Sequence, residues 1–115
     1  MNIQVFIKGN VGILKISAHM LGDTDIQNLP SQVKNLLNGG IKKIILDFSA
    51  VDLINSMGIG NLMVCLVSVK RAGGEIKLTT LSAKISEILG YMEIDQLFDI
   101  HENALNALTS FQNGS

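Results

Sequence analysis

The stretch Asp47-Phe-Ser-Ala-Val-Asp-Leu-Ile-Asn-Ser-Met-Gly-Ile-Gly-Asn-Leu-Met63 decides how this chain folds. An apolar run with β-branched residues, residues 41–46, enters it and indicates a buried strand. An amphipathic helix leaves it, because apolar residues recur with helical spacing at Ile59, Leu62, Met63, Leu66 and Val67. A polar turn joins the two, so the sequence predicts a strand, a turn and a helix in direct succession.

Ser56 lies at the end of this turn and is predicted to be the N-cap of the helix. The first amide groups of a helix lack partners, and the helix dipole favours negative charge near them. The fold itself would therefore tolerate a phosphate on the Ser56 hydroxyl, which would add roughly −1.5 to −2 charges to the surface. Position alone favours the simpler interpretation, a serine that only caps a helix.

The residues from Asp47 to Gly60, Asp-Phe-Ser-x-Val-x-x-Ile-Asn-Ser-x-Gly-Ile-Gly, resemble the signature of the STAS domain. They are most similar to bacterial anti-sigma factor antagonists, in which Asp-Leu-Ser and a short loop precede Asp-Ser-Ser/Thr-Gly-Leu-Gly. The serine that is phosphorylated in that family falls on Ser56. The order of elements over about residues 2–111 also fits, so one STAS-like domain is expected to span residues 1–115.

Two positions of the motif depart from the family pattern. Asn55 stands where an aspartate is usual, so the turn keeps a hydrogen-bonding side chain but loses a charge. Met57 replaces a second Ser or Thr, which leaves Ser56 as the one acceptor hydroxyl in the motif. Neither change removes the mechanism that the resemblance implies.

The whole chain indicates the order β-β-α-β-α-β-α-β-α. Residues 3–8 and 11–17 flank the Gly9-Asn10 turn and predict an antiparallel hairpin. Strands separated by helices imply right-handed crossovers and a mostly parallel sheet. The fold class is therefore α/β, a single small domain with a mixed sheet of four to five strands and about four helices. In the STAS family the helices pack largely on one side.

The remaining elements follow from local signals. Residues 18–24 predict a loop, or a strand end followed by a loop. A helix follows, with Pro30 in its first turn and Gly39-Gly40 at its end. After the central motif come a strand at residues 75–80 and a helix that is capped by Ser82 and stopped by Gly90. A short strand at residues 96–100 and a helix at residues 101–111, with Ala104, Leu105 and Leu108 inward, end the chain.

The resemblance also implies an acidic group beside the phosphorylated serine. In the family a Gly-Glu-Leu-Asp-like run precedes the first helix. Residues 22–25 match that run directly, or residues 18–21 take its place with a longer loop after them. In both alignments Asp25 lands near the helix entry, where a carboxylate suits the dipole, so Asp25 is carried over as a partner-binding residue and Asp23 less strongly. The competing interpretation makes both aspartates turn and cap residues.

Composition excludes several classes of protein. A chain of 115 residues predicts one domain, and 47% hydrophobic with 17% charged residues argues against disorder. A net charge of −1 and few aromatic residues argue against nucleic-acid binding. No apolar run reaches membrane-spanning length, and the N-terminus does not have the pattern of a signal peptide. We therefore expect a cytoplasmic protein that binds neither nucleic acid nor membrane.

The sequence offers no convergent set of catalytic or metal-binding groups. His19 and His101 are isolated. Cys65 lies beside the apolar residues that are predicted to face inward, Leu62, Met63, Leu66 and Val67, where a structural cysteine is expected. Gly58-x-Gly60 lacks the third glycine of a dinucleotide motif, so its glycines are predicted to give backbone exposure and close approach near the helix start. We therefore expect no enzyme activity, no cofactor and no metal.

The outward side of the same helix carries Met57, Asn61, Val64 and Ser68 at spacings of 4, 3 and 4 residues. Methionine and valine on a solvent face favour protein docking, although both could instead pack under a neighbouring loop. The predicted partner-binding residues are Asp25, Asn55, Ser56, Met57, Gly58, Asn61 and Val64.

The resemblance implies an anti-sigma factor antagonist that works by partner switching, as a monomer or weak dimer. The unmodified protein would bind an anti-sigma factor with serine-kinase activity and so free a sigma factor. The kinase would phosphorylate Ser56 and block binding, and a phosphatase would reset it. Two alternatives remain at this point: a STAS scaffold subunit of a larger signalling assembly, and a small-ligand or nucleotide-binding STAS domain.

Overall fold

The computed structural model describes residues 2–22 and 28–113. Within these residues the chain forms strands β1 (Asn2–Lys8), β2 (Val11–Leu21), β3 (Lys43–Ile54), β4 (Glu75–Thr79) and β5 (Asp99–His101), and helices α1 (Asn28–Asn38), α2 (Ser56–Arg71), α3 (Ala83–Tyr91) and α4 (Ala104–Gln112), with a short 3₁₀ helix at Ile94–Leu97.

One sheet of five strands contains all of these strands in the order β1-β2-β3-β4-β5. β1 pairs with β2 in antiparallel fashion around the Gly9 turn, where φ is +61°. Every other pairing is parallel, as expected for strands joined through helices. The predicted α/β class with an antiparallel N-terminal hairpin and a parallel remainder is confirmed.

β2 and β3 are both longer than the sequence predicts. They pair as far as Leu21 with Ile54, with a register shift between Lys15 and Ser17. Of the two alternatives for residues 18–24, the strand end is confirmed as far as Leu21 and a loop from residue 18 is wrong. The expected end of β3 near residue 46 is also wrong. The polar residues Ser49 and Asp52 remain compatible with a strand because their side chains are exposed.

The sheet carries a hydrophobic core on each face. On the first face, α1, α2 and α3 cover Ile44 and Leu46 of β3 together with neighbouring strand residues. On the second face, Ala107 and Phe111 of α4 cover Val11 and Ile45. Alternate residues of β3 thus point to opposite cores, as the strand period requires. The family pattern of helices largely on one side holds for α1, α2 and α3.

Two sequence predictions about inward residues are wrong. The last helix begins at Ala104 after the N-cap Asn103, so Ala107 and Phe111 face the core while Leu105 is 69% exposed. In α2 the buried row is centred on Leu62, Cys65 and Val69, and Val67 is 44% exposed. Both helices carry more apolar residues than fit on the side that packs against the sheet, so some of these residues face solvent.

A buried lysine joins α4 to the sheet. Lys77 in β4 is 2% exposed, and its Nζ donates to Asp99 Oδ2 in β5 and to Ser110 Oγ in α4, the latter at 3.0 Å. The ammonium also lies 4.5 Å from the centroid of the Phe111 ring, within cation–π range. The hydrogen bond from Lys77 is the main cause that lowers the pKa of Asp99; a bond to His101 also lowers it, and partial burial opposes both.

We predict that Asp99→Asn flattens the acid side of the stability profile. A carboxyl whose pKa is lower in the folded state stabilises the fold above its unfolded pKa of about 3.9 and loses that contribution as the pH falls through the folded value. The free energy of unfolding, from urea denaturation at a series of pH values, should therefore fall more steeply between about pH 5 and pH 2 in the wild type than in the variant.

Lys77→Met serves as the matched variant, because it removes the main partner of Asp99 from the other side of the bond. It should flatten the same region of the profile. If the free energy of unfolding falls equally steeply with pH below about pH 5 in the wild type and both variants, the assigned role of this pair is wrong.

Candidate functional site

Asn55, and not Ser56, is the N-cap of α2. Asn55 has an extended backbone with φ −110° and ψ −178°, and its Oδ1 accepts a hydrogen bond from the Gly58 amide at 3.0 Å. The Ile59 amide donates to the Asn55 carbonyl at 3.0 Å and closes the first turn. The predicted cap at Ser56 is therefore wrong by one residue, and Ser56 is the first residue of the helix.

The Asn55 side chain also ties the helix start to β2. Its Nδ2 donates to the Gly22 carbonyl at 3.4 Å, and its backbone amide donates to the Leu21 carbonyl at 3.0 Å. An aspartate in this place could cap the helix but could not donate to Gly22, because an ionised carboxylate only accepts. The amide at position 55 therefore has a structural use in this chain.

Glycine is required at two positions of this contact. A Cβ at Gly58 would lie 2.3 Å from the Leu21 carbonyl oxygen, so α2 approaches β2 only because this side chain is absent. Gly22 has φ +132°, and a Cβ there would lie 1.6 Å from Asn55 Oδ1. The predicted close approach is thus confirmed for Gly58. It is wrong for Gly60, where a Cβ would meet nothing within 4 Å.

Ser56 is exposed at the positive end of α2. No acidic residue lies in the first turn of the helix. Among the described residues its hydroxyl has no hydrogen-bond partner. The first amides of a helix have no acceptor within it, and here the Asn55 side chain satisfies only that of Gly58. A phosphate on the Ser56 oxygen would meet free amides and a favourable dipole.

The start of α3 is held to the strand that leads into Ser56. Ser82 caps α3 by accepting from the Ile85 amide at 3.2 Å, and its hydroxyl donates to the Asp52 carbonyl at 2.9 Å. The Asp52 side chain is exposed and lies 3.1 Å from Nδ1 of His19 in β2. The end of β3 therefore anchors the start of α3, on the side of the sheet that also carries α2.

The outward residues of α2 are free to contact a partner. Met57 is 58% exposed and Val64 is 44% exposed, so neither is packed under any part of the chain that the structure describes. Asn61 turns back along the helix and donates from Nδ2 to the Met57 carbonyl at 2.9 Å. Val67, which was assigned to the core, joins this exposed row. The sequence could have shown this, because a spacing of seven residues from Gly60 and three from Val64 places Val67 on the same face of the helix as those residues.

The remaining residues that the sequence analysis singled out do not form part of the exposed surface around Ser56 that the structure describes. Gly58 is buried, so it positions the site and offers no surface of its own. Asp25 and Asp23 lie outside the described residues, and their predicted role stays a prediction. Cys65 is fully buried, and burial raises the pKa of its thiol to about 12 although the charge of Lys34 opposes this. Cys65 is therefore a neutral packing residue at physiological pH.

The described residues contain no group of three or more His, Cys, Asp and Glu side chains that could hold a metal ion. None of the helices in residues 28–113 is long and apolar enough to cross a membrane.

Comparison with known proteins agrees with the geometry. The STAS domain model matches residues 2–107. A protein of Thermotoga neapolitana that carries the provisional name of anti-sigma factor antagonist is 30% identical over 76 residues, which cover 66% of this chain and 67% of that protein. A crystal structure from Thermotoga maritima, provisionally described in the same way, superposes with a TM-score of 0.83 at 24% identity and covers 94% of this chain and 92% of its own.

The anti-sigma factor antagonist SpoIIAA has the same fold in two states. Its unphosphorylated form superposes with a TM-score of 0.82 at 10% identity and covers 99% of both chains. The phosphorylated form of the Bacillus protein superposes with a TM-score of 0.73 at 12% identity and covers 96% of this chain and 99% of that one. At these identities the likeness concerns the fold alone.

We predict opposite effects for alanine at the two glycines of the α2 motif. Gly58→Ala should lower the free energy of unfolding by about 1–3 kcal/mol, because the new Cβ would overlap the Leu21 carbonyl. Gly60→Ala is the matched control in open space and should raise it by roughly 0.5–1 kcal/mol through helix propensity. Urea denaturation of both variants measures this, and equal effects would show that α2 does not contact β2 as described.

Proposed function

Because the chain belongs to the STAS domain family, we propose that it is an anti-sigma factor antagonist that acts by partner switching. In its unmodified form it binds an anti-sigma factor with serine-kinase activity in the cytoplasm and thereby frees a sigma factor. The kinase transfers phosphate to Ser56, the complex dissociates, and a phosphatase restores the binding form. The chain is a ligand and a substrate in this cycle, and not a catalyst.

The exposed hydroxyl of Ser56 is the observation that carries this proposal. It lies at the N-terminus of α2 with no carboxylate in the first turn and no hydrogen-bond partner among the described residues. The bonds that hold the helix start are made by Asn55 and Gly58 instead. Modification of Ser56 would therefore change the surface without removing a contact that the fold uses.

A modest change in free energy is sufficient for the switch. Phosphate adds roughly −1.5 to −2 charges and three acceptor oxygens beside Met57, which is 58% exposed and neutral. A loss of about 3 kcal/mol in binding already lowers affinity more than 100-fold. Burying that charge in an interface without a cation opposite it would cost at least this much.

Asn55, which stands where an aspartate is usual in the family, is consistent with the proposal. Its amide holds the turn from both sides, through Gly58 and Gly22. A neutral side chain next to Ser56 also exerts no repulsion on an incoming phosphate. The departure from the family pattern is therefore compatible with phosphorylation of Ser56.

Phosphorylation can be tested with each anti-sigma factor of serine-kinase fold from the same genome. After incubation with ATP, intact-mass analysis should show a gain of one phosphate in the wild type and in Ser86→Ala, which removes an exposed serine of α3. Ser56→Ala should gain none. Equal labelling of Ser56→Ala and the wild type would place the modification elsewhere.

Binding to the same kinase provides the second test. Ser56→Asp should weaken the complex by about 100-fold or more, since it adds charge at the position of the phosphate. Ser56→Ala should bind like the wild type, and Ser86→Asp controls for added charge away from the site. A Ser56→Asp protein that binds as tightly as the wild type would exclude a switch at this residue.

The two alternatives predict other results. A scaffold subunit would elute as part of a large assembly, and Ser56→Asp would leave its binary contacts unchanged. A ligand-binding domain would show a raised melting temperature with a small molecule, because ligands that bind the native state stabilise it. Size in solution and a thermal-shift screen therefore separate these roles from partner switching.

A further inference from the structure

The outermost face of α2 presents a regular row of residues to solvent. Met57, Gly60, Val64, Val67 and Arg71 follow one another at spacings of 3, 4, 3 and 4 residues. Met57 is 58% exposed, and Val64 and Val67 are each 44% exposed. This row, called here the α2 seam, starts beside Ser56 and runs to the last residue of the helix.

The spacing of the seam is that of residues which contact another helix. Alternating steps of three and four residues keep side chains on one line when two helices pack at a shallow angle. Gly60 leaves open space on the seam, where a Cβ would meet nothing within 4 Å, so a side chain of a second helix can enter there. From Met57 to Arg71 the seam is about 21 Å long, which corresponds to four turns of helix.

The far end of the seam is basic. Lys34 of α1 and Arg71 of α2 line a surface hollow of about 370 Å³ together with Met63, Val64, Val67 and Ser68. Among the described residues neither cation forms an ion pair, and the described parts of α1 and α2 contain no acidic residue. Lys70 adds a third positive charge in the last turn of α2. A ligand of the seam gains from carboxylates at this end.

We propose that the α2 seam receives an amphipathic helix of the anti-sigma factor, with apolar residues along the seam and carboxylates at the Lys34–Arg71 end. This inference rests on the proposed function and specifies how the partner is held. One end of the partner helix lies beside Ser56 and the other lies at the basic residues. The contact at the basic end orients the kinase toward Ser56, while phosphate changes only the opposite end.

Charge and exposure decide against other occupants. A second copy of α2 carries no carboxylate, so it cannot neutralise Lys34 and Arg71. A small amphiphile would also remain largely in water, because Val64 and Val67 are surface residues, whereas small-ligand sites bury most of their ligand. A protein helix both covers the seam and supplies the charge.

The test uses the anti-sigma factor kinase that phosphorylates Ser56, with dissociation constants from isothermal titration calorimetry. Val67→Lys should weaken binding roughly tenfold or more by placing a charge in the middle of the apolar contact. Arg71→Glu should weaken it by a similar factor at low salt, and the factor should shrink as ionic strength rises because the pair is exposed. Leu105→Lys on α4 and Lys8→Glu in β1 are the matched controls and should bind like the wild type.

The outcomes separate this inference from the proposed function. If Ser56→Asp abolishes binding while Val67→Lys and Arg71→Glu bind like the wild type, the seam is not the docking surface and the switch still stands. A wild-type chain that binds none of the anti-sigma factors overturns both. If Val67→Lys instead dissociates a dimer of this chain and leaves kinase binding intact, the seam joins two copies and the proposal is wrong. Far-UV circular dichroism and the melting temperature verify that each variant is folded.

Discussion

The contact between the end of β2 and the start of α2 determines the geometry of the whole site. The backbone amide of Asn55 donates to the Leu21 carbonyl at 3.0 Å. Because Gly58 has no side chain, the first turn of α2 can lie against the same carbonyl. The Asn55 side chain then satisfies the Gly58 amide at 3.0 Å and the Gly22 carbonyl at 3.4 Å. Because buried backbone groups must be paired, this arrangement leaves little freedom in where α2 begins.

This arrangement separates the residues that hold the turn from the residues proposed to act in binding. Asn55 bonds to the Leu21 carbonyl at the end of β2 and the buried Gly58 packs against it, whereas Ser56 and Met57, which lie between them in the chain, face solvent. A change of charge at Ser56 is therefore expected to alter binding more than folding. The residues that stabilise the turn and the residues proposed to switch therefore lie next to each other in the chain but on opposite sides of the turn.

The two faces of the sheet also serve different purposes. The second face is closed by α4 and by Lys77, which contacts Asp99, Ser110 and the Phe111 ring. The first face is covered by α1, α2 and α3, and the exposed apolar residues Met57, Val64 and Val67 lie on its outer layer. Binding is therefore expected on the helix layer that contains Ser56, because exposed apolar residues in a row favour a protein contact.

The sequence by itself determined the hairpin, the order of strands and helices, the motif around Ser56 and the outward position of Met57 and Val64. These features depend on local turn residues and on apolar periodicity, which neighbouring residues define. The tertiary structure alone decided that Asn55 caps α2, that β3 extends to Ile54, and that Val67 and Leu105 face solvent. These features depend on the pairing of β2 with β3 and on contacts such as that of Asn55 with Gly22, 33 residues away, and local periodicity carries no information about partners so distant in the chain.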